Sequence, residues 1–231
     1  MMFQYESFLT YAFAIIGICI VVYAQSKISK AYEKYKKITI KNGLSGVEVA
    51  RKILDNNGLT SVYVLETSGT LTDHYNPSRK VIKLSKSIFH GNTISAVSVA
   101  AHECGHAIQD KQGYHMMKVR SFLAPIVSFI NYVGYFVLII SIFAGVGAYI
   151  NAAIITVLVA LLFQLVTLPV EFNASKRAKV ELEKLGLIDK DESYGVKEML
   201  DAAAFTYVAG TISSILQLLR LVMISQNRNR R

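Results

Sequence analysis

The segment AAHECGHAIQ places His102 and His106 four residues apart, with Glu103 directly after the first. On an α-helix, positions i and i+4 lie one above the other on a single face. Two imidazole nitrogens can then be offered to one ion. Zinc suits such donors, taking nitrogen at about 2.0–2.1 Å in a tetrahedral site. Glu103 projects beside the same face. It is poorly placed to share the ion, yet it can reach a water in the fourth position and take its proton as general base. His-Glu-x-x-His is the known pattern of this arrangement. The residues around it are small: Ala100, Ala101, Gly105 and Ala107. They let another helix or a substrate approach closely. Cys104 points away from the histidine face and reads as a small buried residue, not a ligand.

Three protein ligands are usual for a catalytic zinc ion. A third histidine in the extended HExxHxxGxxH spacing would fall at position 112, which is Gln112 here. His115 is off that register. Glu171 is the first charged residue after fifty uncharged ones. A carboxylate at a membrane boundary needs a partner or water. Position alone leaves two readings open: a ligand, or a mark of where the chain emerges into the headgroups.

A helix must carry the motif. GNTISAVSVAAHECGHAIQD starts at a good N-cap, Asn92 or Thr93, and the helix is predicted to run to about Asp110. Upstream, Ser45 and Glu48 make a capping box for a helix over SGVEVARKILDNNG, closed by Gly58. SVYVLE (61–66) and KVIKLS (80–85) read as strands, with loop chemistry between them. Asp73 and His74 lie in that loop, as cleft residues or as turn residues.

The remainder of the chain sets the solvent. Apolar residues make up 52% of the 231, yet the net charge is +9. Residues 8–24 are uncharged and near the lower length limit for a spanning helix. No basic region precedes them, unlike a signal peptide. Lys27, Lys30, Lys34, Lys36 and Lys37 follow. Residues 121–170 are long enough for two spans, about 121–143 and 148–168, joined by the glycine-rich AGVGAYIN. Lys118 and Arg120 precede this hairpin, and Lys176, Arg177 and Lys179 follow it. The positive-inside rule makes all these flanks cytoplasmic and the turn external. The stretch 202–219 could span, but the basic tail after it would then lie outside, against the rule. A span and a membrane-associated helix both stay open. No RNA- or DNA-binding motif is present, so the positive charge belongs at a lipid surface, with no nucleic-acid partner. Two cysteines in unlike contexts do not make a disulfide framework.

AAHECGHAIQ, the two apolar spans after it and LPVEFNASKRA together resemble the HtpX-like gluzincin membrane metallopeptidases. GLSGVEVARKILDNNGL, LTDHYNPSRKVIKLS and FQLVTLPVEFNAS are similar to the YugP-type membrane zinc metallopeptidases, and this likeness covers nearly the whole chain. The resemblance implies one zinc ion per chain, bound by His102, His106 and Glu171, with Glu103 as base. It also implies protein or peptide substrates, including unfolded membrane proteins. The wider HtpX-like pattern has an aspartate four residues after the ligand glutamate. Ser175 stands there, so Asn173 or Ser175 would have to orient a ligand histidine.

The expected protein is therefore a mainly α membrane protein, with a small α+β zincin-like metalloprotease domain and three or four transmembrane helices. Residues 1–25 form the first span, 26–120 the cytoplasmic domain with the HExxH helix, and 121–170 the hairpin. Residues 171–200 form the helix with the third ligand, and 201–231 the C-terminal apolar helix and tail. The expected function is that of a multi-pass zinc endopeptidase in the cell membrane, its active site on the cytoplasmic face. Substrate would lie along an edge strand such as KVIKLS. Tyr207 and His74 are candidate transition-state or cleft residues, although a tyrosine in an apolar helix more often serves packing. The competing reading is a membrane scaffold that binds zinc without hydrolysing peptides. An open coordination position and an intact Glu103 weigh against it. A transporter is disfavoured by spans that carry no charge.

Overall fold

The computed structural model describes residues 2–70, 72–143 and 149–229. In chain order the elements are α1 (Met2–Tyr35), α2 (Gly46–Asn56), β1 (Tyr63–Thr67), β2 (His74–Asn76), β3 (Val81–Ser85), α3 (Lys86–Phe89), α4 (Ile94–Lys111), α5 (His115–Phe143), α6 (Tyr149–Lys184) and α7 (Lys190–Asn229). The chain divides into two compact units. One comprises residues 1–25, 119–168 and 206–231; the other comprises 26–118 and 169–205.

The first unit is helical and turns its apolar side chains outward. Phe8, Tyr11, Ile18, Val22, Phe122, Phe129, Ile155 and Leu162 are all exposed. Such surface is stable where the solvent is lipid, and helices satisfy their own backbone there. Among the described residues, three helical stretches are long and apolar enough to cross a bilayer: Phe8–Tyr35, Tyr149–Lys184 and Lys190–Arg228. The C-terminal stretch left open by the sequence belongs to the third of these. α5 covers the expected first arm of the hairpin. The expected glycine-rich turn falls largely on residues 144–148, outside the described residues.

The second unit builds a core around α4. Ser45 N–H donates to Glu48 Oε2 at 2.7 Å, closing the capping box of α2. The Ser45 hydroxyl, which donates to the same oxygen at 2.6 Å, and then this backbone bond hold the Glu48 carboxyl below its usual range. Gly58, at φ 62°, turns the chain out of the helix as expected. Val49, Ala50, Ile53 and Leu54 of α2 are fully buried, with Val97, Ala100, Ala101 and Cys104 of α4. Each large apolar chain so buried contributes about 1.5–3 kcal/mol. Thr93 caps α4, its hydroxyl accepting from Ala96 N–H at 3.3 Å.

The sheet has three strands in the order β1-β3-β2. β1 pairs parallel with β3, Tyr63 opposite Val81; β2 pairs antiparallel with it, Tyr75 opposite Ile82. Two sequence expectations change here. KVIKLS is the central strand, paired on both sides, so it presents no free edge to a substrate. β2 forms within the segment expected to be loop. At three residues it is too short for alternation to reveal, yet its Tyr75 is buried and bonds Asp110 of α4 at 2.6 Å.

α6 runs unbroken through Pro169, where a new helix was expected near Glu171. Within the second unit its Val170, Ala174, Ala178 and Leu182 recur every fourth residue, all at most 1% exposed. This is one helical stripe turned to the core. It fixes the direction of Glu171, the next residue after Val170.

Candidate active site

α4 and α6 bring the donors together. His102 Nε2 lies 3.2 Å from Glu171 Oε2, and His106 Nε2 lies 3.7 Å from the same oxygen. The imidazole planes are nearly perpendicular, their centroids 4.8 Å apart. Among the described residues, these three offer one ligand atom each, all within 4.8 Å of one another. A tetrahedral ion with donors at about 2.0–2.1 Å separates them by about 3.3 Å. The two histidine–carboxylate distances bracket that value, so the residues present fit a zinc ion. Glu171 and His106 are buried and His102 nearly so, which limits competition from water.

The far nitrogens are also engaged. His102 Nδ1 lies 3.2 Å from Ser175 Oγ, the residue at the position of the related family's aspartate. His106 Nδ1 lies 3.0 Å from Gln109 Oε1. Asn173, the other candidate from sequence for orienting a ligand, accepts from Gln109 Nε2 at 3.0 Å instead. Gln109 is a site residue that sequence reasoning missed. Its spacing of three from His106 on the motif helix was the available signal.

Glu103 is buried beside the donors. Burial is the main cause that pushes its carboxyl up to about 7. His102 opposes the rise, Glu171 and Asp73 reinforce it, and a hydrogen bond from the Tyr75 backbone N–H lowers it. β2 therefore borders Glu103. Asp73 itself accepts from Ser85 N–H at 2.7 Å.

The remaining candidates are placed differently. His74 is exposed on β2, its Nδ1 2.8 Å from the Thr72 carbonyl oxygen, a local turn contact. His115 is exposed at the start of α5 and is not among the grouped donors. Tyr207 belongs to α7 in the first unit, whereas all three donors belong to the second. Cys104 is fully buried against α2, its Sγ 3.6 Å from the Ala50 carbonyl oxygen, and burial pushes its thiol well up.

Comparison with known proteins agrees with this chemistry. A family described as "Putative neutral zinc metallopeptidase" matches residues 10–226. The chain is 45% identical over 205 residues to "Putative membrane protease YugP" of Bacillus subtilis (strain 168), covering 89% of this chain and 91% of that protein. No solved structure matches. The HExxH helix, the apolar helices and a match over nearly the whole length have one source: the chain belongs to the neutral zinc metallopeptidase family, among membrane proteins.

Proposed function

We propose that the chain is a multi-pass membrane zinc endopeptidase of the gluzincin type, with one zinc ion held by His102, His106 and Glu171. The observation that supports it most is the convergence of those three donors, from two helices, beside a buried Glu103. Zinc in such a site supplies an open position for water, acidifies that water and polarises the scissile carbonyl.

The chain's own residues do the rest. Glu103 takes a proton as water oxygen bonds to the scissile carbon, and delivers it to the leaving nitrogen as the carbon–nitrogen bond breaks. Its carboxyl, raised to about 7 by burial before any metal is present, suits a group that must both accept and release a proton near neutrality. Ser175 and Gln109 hold the two imidazoles by their far nitrogens.

Substrate lies extended along β2. β1 and β2 are the two edges of the sheet, and β2 is the one whose backbone reaches Glu103. The active site faces the cytoplasm, because every strongly basic flank of an apolar stretch before residue 180 lies on the same side of the chain's passage. Protein or peptide substrates follow from the family, and unfolded membrane proteins enter only through the resemblance to the HtpX-like peptidases.

The test is hydrolysis of an unfolded polypeptide by the purified protein in detergent. Cleavage should stop on chelation and return with zinc. Stoichiometric zinc with no cleavage of any unfolded substrate offered would support the silent scaffold instead.

A further inference from the structure

We propose that Gln109 is a positioning residue that locks His106 in the tautomer able to bind metal, which rests on the zinc assignment above. Gln109 is completely buried. Its amide nitrogen lies 2.8 Å from the Val170 carbonyl oxygen and 3.0 Å from Asn173 Oδ1. A backbone carbonyl can only accept, so the NH2 end must face Val170. Asn173 is fixed in the same sense. Its Oδ1 also accepts from Arg177 Nε at 2.6 Å, and Arg177 is held in turn by Gln112 Oε1 at 2.6 Å. The Gln109 amide thus has one orientation, with Oε1 toward the imidazole.

That orientation decides a proton. Oε1 accepts only, so His106 Nδ1, at 3.0 Å, must carry hydrogen. A neutral imidazole with hydrogen on Nδ1 has its lone pair on Nε2, the nitrogen that faces Glu171. The other tautomer would leave two buried acceptors opposed and Nε2 protonated where the ion must sit. Gln109 performs a second task through the same amide. The bonds to Val170 and Asn173 run from α4 to α6, so the group that orients His106 also holds the helix carrying Glu171. His102 has a different support: Ser175 Oγ can donate or accept, and so does not by itself choose a tautomer.

The experiment measures zinc affinity of the full-length protein in detergent by chelator competition, alongside kcat and KM at saturating zinc. Gln109→Met keeps the shape and removes all three bonds. Zinc affinity should fall about 10–100-fold, the usual effect of losing a partner behind a ligand. Gln109→Glu keeps an oxygen acceptor for Nδ1, and a proton on its other oxygen restores the donor to Val170. Affinity should stay within a few-fold of wild type. Gln109→Asn stays polar but is one methylene shorter, and should lose affinity as Gln109→Met does, which keeps the test decisive if Gln109→Met fails to fold. Wild-type affinity in folded Gln109→Met or Gln109→Asn overturns the proposal. So do equal losses in Gln109→Met and Gln109→Glu, because Gln109→Glu retains the acceptor said to choose the tautomer. Absence of zinc binding by wild type would be a failure of the zinc assignment itself, and is read separately from these ratios.

Discussion

Gly105 of α4 lies directly against the backbone of Ala174 of α6: a Cβ placed on Gly105 would come 2.5 Å from the Ala174 carbonyl oxygen and 3.0 Å from its carbon. No flexible side chain is available to yield. Gly105→Ala should push the helices apart, costing about 1–3 kcal/mol as overpacking. It should also move Glu171 away from the histidines. Zinc content and the midpoint of thermal unfolding in detergent are the measurements. A variant with wild-type values of both would show that the two helices are not held at this spacing.

Glu103→Gln should retain zinc and lose at least about 100-fold in kcat, the lower end for removal of a general base. Glu103 is not among the grouped donors, so metal and activity should separate. Zinc loss in parallel with activity would recast Glu103 as a ligand.

Glu171→Gln should lose both zinc and activity, whereas His115→Ala should keep both. Two histidines alone hold zinc loosely. Zinc per folded chain at matched pH and detergent decides between them. Metal retained by Glu171→Gln and stripped by His115→Ala would reverse the assignment.

Stability of the zinc-free protein should depend on pH through Glu103. Its folded carboxyl titrates near 7, well above its ordinary value of 4.5. Between those values the folded state binds a proton that the unfolded chain has released. The stabilisation from this group is therefore full below about 4.5 and lost as pH rises through about 7. Glu103→Gln should flatten that part of the curve. Denaturant midpoints of chelated wild type and variant across this range provide the comparison. Identical slopes would mean that Glu103 is not protonated in the fold.

The basic flanks predict the membrane orientation. In intact cells with Cys19 and Cys104 replaced, Gly147→Cys should react with an impermeant thiol reagent and Ser26→Cys should not. The opposite pattern would move the catalytic face outside.

His102, Glu103 and His106 were legible because their relation is local: a helix of known pitch puts them in place. Glu171 was legible only in part, since 69 positions separate it from His102 and no local pattern measures that closure. The fourfold stripe Val170, Ala174, Ala178, Leu182 would have shown that its helix turns a face to a core. Gln109 resembled any polar residue near a helix end, because burial comes from packing that spacing does not disclose. KVIKLS was correctly a strand and incorrectly an edge. Side-chain alternation identifies a strand, whereas strand order depends on which neighbours pair with it, and one neighbour is the three-residue β2.

The order of the donors along the chain has a consequence for biogenesis. His102 and His106 are synthesised before the uncharged residues 121–170, and Glu171 after them. A nascent chain that has displayed its HExxH helix still holds only two of three donors until the apolar segment has left the ribosome. On the proposed assignment the metal site is thus completed only by the last of its donors to be synthesised. Metal binding in the proposed site is therefore tied to synthesis of the whole apolar stretch, not of the HExxH helix alone.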